Sequence, residues 1–111
     1  FSTLAWIDGK GRVRHYGPDK FSWTAGKRWR SPETGAEYPL DITLQAPDPA
    51  HGSPLSIRLR PVMMNQELIG RIGGVSYWEG ACDALDEKGD RIGRAYVELT
   101  GYAGSIANRL R

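Results

Sequence analysis

Two glutamates in the C-terminal third, Glu79 and Glu98, each follow a tyrosine by two positions. They stand in Tyr77-Trp78-Glu79-Gly80 and in Tyr96-Val97-Glu98-Leu99-Thr100-Gly101-Tyr102. Side chains of an extended chain alternate between faces. Tyr77, Glu79, Ala81 and Asp83 therefore share one face, and Trp78, Gly80, Cys82 and Ala84 the other. In the second run Tyr96, Glu98, Thr100 and Tyr102 oppose Ala95, Val97, Leu99 and Gly101. Each run thus carries tyrosine and carboxylate on one side and small or apolar groups on the other. Paired about a turn, the two runs bring Glu79 and Glu98 within a residue or two of each other. Turned into an aromatic-lined cavity, such a carboxylate has its neutral form favoured and serves as a general acid near neutral pH. Turned to solvent, the same face is a hydrated exterior over a core of Trp78, Val97 and Leu99, since glutamate is rarely buried unless paired. There Glu79 would pair with Arg94 or Arg30. The pattern leaves both orientations open.

Other chemistry-bearing residues point elsewhere. His15 lies in an alternating run and His51 in a Pro/Gly loop, and neither has a partner at metal-ligand spacing. Ser31, Ser53, Ser56 and Ser76 lack the strand-turn-helix setting of a nucleophilic serine. Cys82 is the single cysteine, so no internal disulfide forms, and it reads as a small apolar filler. Asn65-Gln66-Glu67 offers amide and carboxylate groups either to satisfy backbone at a bulge or to act on a substrate. Trp29 either plugs one end of the fold or walls a binding site.

The elements that position these groups are short strands. Gly and Pro together make 21 of 111 residues, about a fifth, against a usual share of about 12%. Expected strands run Ser2–Ile7, Arg12–Tyr16, Phe21–Trp23, Leu40–Ala46, Leu55–Arg60, Val75–Leu85 and Arg91–Tyr102. Asp8-Gly9-Lys10-Gly11 is a hairpin signal, and Pro47 to Ser53 forms a longer loop. Lys27 to Pro39 shows no period and contains Ser-Pro and Thr-Gly turn chemistry. Val62–Ile72 reads as a strand, a bulge or a helical turn, ended by Gly73-Gly74. Ser105–Arg111 forms a tail with room for one helical turn. Seven short strands without a long helix predict an all-β sandwich or barrel.

Several of these segments, in order, resemble one family. Trp29-Arg30-Ser31-Pro32-Glu33-Thr34-Gly35, Tyr38-Pro39, Asn65-Gln66-Glu67 and the two glutamate-bearing runs are similar to the lipocalin-like AttH-type proteins. That family includes carotenoid 1,2-hydratase (hydroxyneurosporene synthase), kievitone hydratase and many secreted hydrolases. The resemblance spans about Trp29 to Tyr102. This chain has Ala95-Tyr96 where the family often has Gly-Tyr. The resemblance implies an all-β, lipocalin-like antiparallel barrel or half-open barrel over residues 1–111. It also implies the C-terminal domain of a two-domain protein, in a periplasmic or secreted setting. The implied activity is that of a hydratase, isomerase or cyclase on a lipophilic, alkene-containing substrate of terpenoid, carotenoid or polyketide type. Glu79 or Glu98 would protonate the double bond. Tyr77, Trp78, Tyr96, Tyr102, Trp29 and Glu67 would contact the substrate, with aromatic faces stabilising a cation. No cofactor and no metal enter this chemistry. The implied partners are the lipophilic molecule and an N-terminal domain. The alternatives are a module that binds or carries a lipophilic ligand without turnover, and a structural domain.

Composition narrows the classes further. A net charge of +2, with Lys27, Arg28 and Arg30 interrupted by Trp29, gives no basic stripe for nucleic acid. No apolar run reaches the roughly 18 residues of a membrane span. The chain opens in mid-pattern at Phe1 rather than at Met, as expected of a domain taken from a longer protein.

Overall fold

The computed structural model describes residues 2–70 and 75–103. The expected tail from Ser105 and residues 71–74, the end of the Val62–Ile72 segment with its Gly73-Gly74 stop, lie outside them. Ten strands follow one another: β1 Leu4–Ile7, β2 Val13–Tyr16, β3 Ser22–Ala25, β4 Trp29–Arg30, β5 Glu37–Tyr38, β6 Ile42–Pro47, β7 Pro54–Pro61, β8 Glu67–Leu68, β9 Tyr77–Leu85 and β10 Arg91–Leu99. No helix occurs among the described residues.

One local device closes three of the hairpins. An aspartate opens the turn and a glycine three or four residues later takes a positive φ, which an L side chain resists. Asp8 pairs with Gly11, Asp48 with Gly52 and Asp86 with Gly89, at φ of 79, 71 and 86°. Each glycine N–H donates to its aspartate carbonyl at 2.7–3.0 Å. The Asp86 carboxylate also accepts from the Lys88 and Asp90 backbone N–H groups at 2.9 and 3.0 Å. Pro47 and Pro54 sit opposite each other at the mouth of the β6–β7 hairpin, where the ladder no longer needs their missing donors.

The main sheet runs β10-β9-β7-β6-β3, all antiparallel, with β8 added to β9. Two small ribbons, β1–β2 and β4–β5, stand apart from it. The sheet does not close on itself among the described residues, so the architecture is a half-open antiparallel barrel. The segment expected as irregular, Lys27 to Pro39, contains the β4–β5 ribbon, with Trp29 opposite Tyr38 and Arg30 opposite Glu37. β10 stops at Leu99 rather than Tyr102. Gly101 then turns the chain at φ 88°, with open space where a Cβ would lie, so it serves conformation and not close packing.

The segment from Val62 is a bulge up to Gln66 and then the short strand β8. β7 and β8 share one edge of β9, and between the pairs Pro61–Cys82 and Glu67–Trp78 the chain takes six steps against four on β9. Gln66 repairs the gap. Its Oε1 accepts from the Ala81 N–H at 3.0 Å, and its Nε2 donates to the Ala81 carbonyl at 3.1 Å and the Met63 carbonyl at 2.9 Å. A side-chain amide thereby stands in for the absent strand neighbour. Gly80 is required here, because a Cβ would collide with the Gln66 amide.

One face of the sheet is the core. Trp78, Cys82, Leu99 and Ile42 form one cluster with Tyr38, Leu40 and Ala36, flanked by Trp29 and Tyr102. Leu44, Ile57 and Ala84 form a second, flanked by Leu4, Trp6 and Phe21. The ribbons thus cover the sheet in the way a second layer would. Burial pushes the Cys82 thiol up to about 11, so it is an inert filler.

Candidate functional site

Three features carry chemistry: a half-buried carboxylate, an outer face with paired glutamates, and an open groove.

The half-buried carboxylate is Glu67. Its strand pairs with β9 so that Glu67 lies opposite Trp78 and Leu68 opposite Tyr77, which directs Glu67 toward the β4–β5 ribbon. Three hydroxyls donate to it. Ser31 Oγ reaches Oε1 at 2.5 Å, while Thr34 Oγ1 and Tyr38 Oη reach Oε2 at 2.7 and 2.6 Å. The ribbon turn prepares these donors. Ser31 Oγ accepts from the Glu33 and Thr34 N–H groups at 3.2 and 3.1 Å, and Thr34 Oγ1 from the Ala36 N–H at 3.2 Å. Gly35, at φ 74°, closes the turn onto the Ser31 carbonyl at 2.9 Å. Burial pushes the Glu67 carboxyl up, but the three hydroxyls outweigh it and hold it below the ordinary glutamate range. Burial, and then the Glu67 carboxylate itself, drives the Tyr38 phenol well above its ordinary range. Glu67 is therefore an ionised acceptor with both oxygens engaged. It is fitted to clasp the ribbon to the sheet and unfitted to give up a proton.

Trp78 works beside it. Its indole is fully enclosed and its Nε1 donates to the Met64 carbonyl at 2.8 Å. Trp29 stacks on Tyr38 at 6.3 Å between ring centroids, and Tyr38 meets Tyr102 at 6.1 Å. The Arg28 guanidinium lies 5.8 Å from the centre of the Tyr102 ring. Trp29 covers Tyr38 on one side and lines a groove on the other.

Glu79 and Glu98 lie directly opposite each other in the β9–β10 register. Their face is the outer one, since Trp78, Gly80, Cys82 and Ala84 point into the core. Tyr77 and Glu79 are half-buried, Glu98 is exposed and Tyr96 is 69% exposed. Desolvation, and then the neighbouring Glu79 carboxylate, holds the Tyr96 phenol above its ordinary range. Neither glutamate forms an ion pair among the described residues. Arg30 pairs with Glu37 at 2.8 Å, and Arg94 faces Asp83, whose carboxylate lies 3.5 and 3.6 Å from Arg60 and Arg91.

The groove, of about 360 Å³, opens where β6 and β7 diverge, with Trp29, Leu40, Leu59, Pro61 and Met64 as its apolar surface. Tyr102 borders a second groove of about 300 Å³ beside Arg28, Arg30 and Glu37. Among the described residues no three of His, Cys, Asp and Glu gather as a metal site. No helix there is long and apolar enough to cross a membrane.

The structure thus joins Glu79, Glu98, Tyr77 and Tyr96 on one face. It sets Glu67 and Trp78 in the core-side network, and Trp29 and Tyr102 along the ribbon. Sequence reasoning offered Gln66 as a backbone partner at a bulge, which is its role here, but passed over Ser31, Thr34 and Tyr38 as polar partners. The available signal was hydroxyls spaced around a Ser-Pro/Thr-Gly turn. The same reasoning noted Lys27 and Arg28 as a basic cluster but passed over Arg58 and Arg60.

The AttH-like family model matches residues 1–102. No curated protein matches the chain. The crystal structure of a protein assigned as an AttH from Nitrosomonas europaea aligns with a TM-score of 0.66 and 35% identity, covering 88% of this chain and 29% of that one. The chain therefore spans less than a third of that relative's length. With nearly its whole described length matched and the half-open antiparallel fold shared, the chain belongs to the AttH-like family.

Proposed function

We propose that this AttH-like domain forms one wall of the site of a hydratase, isomerase or cyclase acting on a lipophilic alkene of terpenoid, carotenoid or polyketide type. The observation that carries the reading is the direct opposition of Glu79 and Glu98, with Tyr77 and Tyr96 on the same face. A lipophilic substrate, or an N-terminal domain closing over the face, withdraws water from two opposed carboxylates, and one shared proton becomes the stable arrangement. That proton passes to the less substituted alkene carbon, leaving a tertiary cation against the tyrosine rings. Water adds to the cation and loses its proton to the free carboxylate, which gives the alcohol. Loss of a neighbouring proton gives the isomer instead, and attack by a second double bond closes a ring. The chemistry requires no cofactor. Glu67 and Trp78 contribute by fixing the ribbon and the bulge behind this face.

The test uses the full-length protein with an acyclic terpenoid alkene in D₂O and follows deuterium uptake into hydrated, isomerised or cyclised product by mass spectrometry. Glu79→Gln or Glu98→Gln lowers turnover by about 10²–10⁴-fold, the usual contribution of a general acid, with no fall in melting temperature. Wild-type turnover in both variants removes these carboxylates from the mechanism.

A second reading is a module that binds or carries a lipophilic molecule, or packs on an N-terminal domain, without turnover. It is favoured by the saturation of Glu67, the one core-side carboxylate of the network, and by a core filled by Trp78 and Tyr38. On that reading the same alkene binds and is recovered unchanged.

A further inference from the structure

We infer that the groove between the ends of β6 and β7 is a binding site for a free long-chain carboxylate. The inference is independent of the glutamate face, with which the groove shares no residue. Its apolar surface comes from Trp29, Leu40, Leu59, Pro61 and Met64, and its volume of about 360 Å³ falls within the range of small-molecule sites. Met64 remains 46% exposed, an apolar side chain without cover. Lys27 and Arg28 stand along the same groove; Arg58 and Arg60 border it too, alternating with Leu59 along β7 so that their side chains turn to Asp41 and Asp83 on the other face of the strand.

These cations are only partly neutralised. Arg58 Nε lies 3.4 Å from Asp41 and Arg60 lies 3.5 Å from Asp83, both longer than the roughly 2.7–2.9 Å of a charge-assisted hydrogen bond. Lys27 and Arg28 have no carboxylate within ion-pair distance among the described residues. Arg28 is held instead over the Tyr102 ring. The arrangement is preformed on this side. The Gly26 N–H donates to the Asp41 carbonyl at 2.8 Å, and a Cβ at Gly26 would collide with the Asp41 carboxylate. The chain is thereby pinned just before Lys27 and Arg28.

A cationic rim over an apolar trough selects a molecule with one anionic head and a hydrocarbon tail. Arginine forks match a carboxylate bidentately. The small net charge and the absence of a longer basic stripe disfavour a polyanion.

Calorimetric titration of the full chain with sodium decanoate, below its aggregation concentration, tests the site against decanol as the neutral analogue. Decanoate binds saturably at one site and decanol at least ten-fold more weakly. The double variant Lys27→Glu/Arg28→Glu loses at least ten-fold in decanoate affinity, and so does Met64→Asp, with melting temperatures unchanged. Glu79→Gln and Glu98→Gln bind decanoate as the wild type does, so failure of the glutamate mechanism and failure of this site are read separately. Absence of saturable binding, equal affinity for decanol, undiminished binding in the double variant, or binding to phosphatidylglycerol vesicles without binding of monomeric decanoate each overturns the inference.

Discussion

Replacing Glu67 by glutamine leaves the shape of the clasp and removes its charge. The carboxylate receives three hydroxyl donors on two oxygens. The amide keeps one acceptor and turns the other end into a donor. With the amide oxygen at Oε2, Thr34 and Tyr38 keep neutral hydrogen bonds, and the buried Ser31 hydroxyl loses its acceptor. With the amide flipped, the fully buried Tyr38 hydroxyl loses its own. The first arrangement is the cheaper. Converting a charge-assisted bond to a neutral one costs about 1 kcal/mol, and an orphaned buried hydroxyl about 1–3 kcal/mol. Discounting for the partial exposure of Glu67 and Thr34, the substitution costs about 2–4 kcal/mol. At about 4 °C per kcal/mol for a domain of this size, the melting temperature falls by roughly 10 °C. The pH dependence gives a second readout. Glu67 has a folded pKa below its unfolded value, so its contribution is present above the ordinary glutamate range and is lost as pH falls through the depressed folded value. Tyr38 has a folded pKa above its unfolded value. Its contribution is present below about pH 10 and is lost as pH rises through the elevated value. Urea unfolding of wild type and Glu67→Gln between pH 3 and 9 measures the stability loss and its Glu67-linked pH dependence. The gap between the two proteins is widest near neutrality and narrows toward acid. A gap below about 0.5 kcal/mol, typical of ordinary surface changes, or one independent of pH, refutes the clasp.

Gly80→Ala drives a methyl group into the Gln66 amide. Gln66 must withdraw from Ala81, at a cost of about 1–2 kcal/mol in urea unfolding. Added to Gln66→Ala, the same change costs measurably less, and full additivity in that cycle refutes the contact. Glu98→Lys places an opposite charge directly across from Glu79 on the outer face. Cross-strand pairs of opposite sign are worth about 0.2–1 kcal/mol over an alanine pair, and like charges directly opposite are destabilising, so the melting temperature rises by a few degrees in low salt and the gain shrinks in 1 M NaCl.

Much of the main sheet is legible in the sequence because its signals are local. Alternation over four or more residues marks β6, β7, β9 and β10, and aspartate-to-glycine turns mark three of the hairpins. The β4–β5 ribbon is not legible, since two residues a side are too few to display a period. The Glu67 clasp is illegible for a different reason. Its donors Ser31 and Tyr38 lie 36 and 29 residues away in the chain, and their meeting depends on how the ribbon folds over the sheet. The same tertiary fact decides which face of β9 is covered. Trp78 or Glu79 could have faced inward on periodicity alone, and the choice follows from Trp29, Tyr38 and Leu40 arriving on the Trp78 side. The groove's cations come from two separate stretches, 27–28 and 58–60, which only the divergence of β6 and β7 brings together.

The residues that carry the family resemblance divide by what folding asks of them. Ser31, Thr34, Gly35 and Tyr38 build the donor side of the clasp, and Glu67 the acceptor side. Gln66 completes the ladder at Ala81, Gly80 makes room for it, and Trp78 anchors the bulge through Met64. Each of these has a partner whose loss would cost stability, so packing and hydrogen bonding suffice to explain it. Glu79 and Tyr96 interact with each other across the strands, but neither they nor Glu98 has a partner that ties the outer face to the rest of the fold. Opposed like charges weaken a strand pair, and a tyrosine that is 69% exposed adds little to a core. Departures from local consistency concentrate where a protein does something other than fold. The search for chemistry in this domain therefore belongs on the outer face of β9 and β10, with Glu67 as the clasp that holds the opposite side in place.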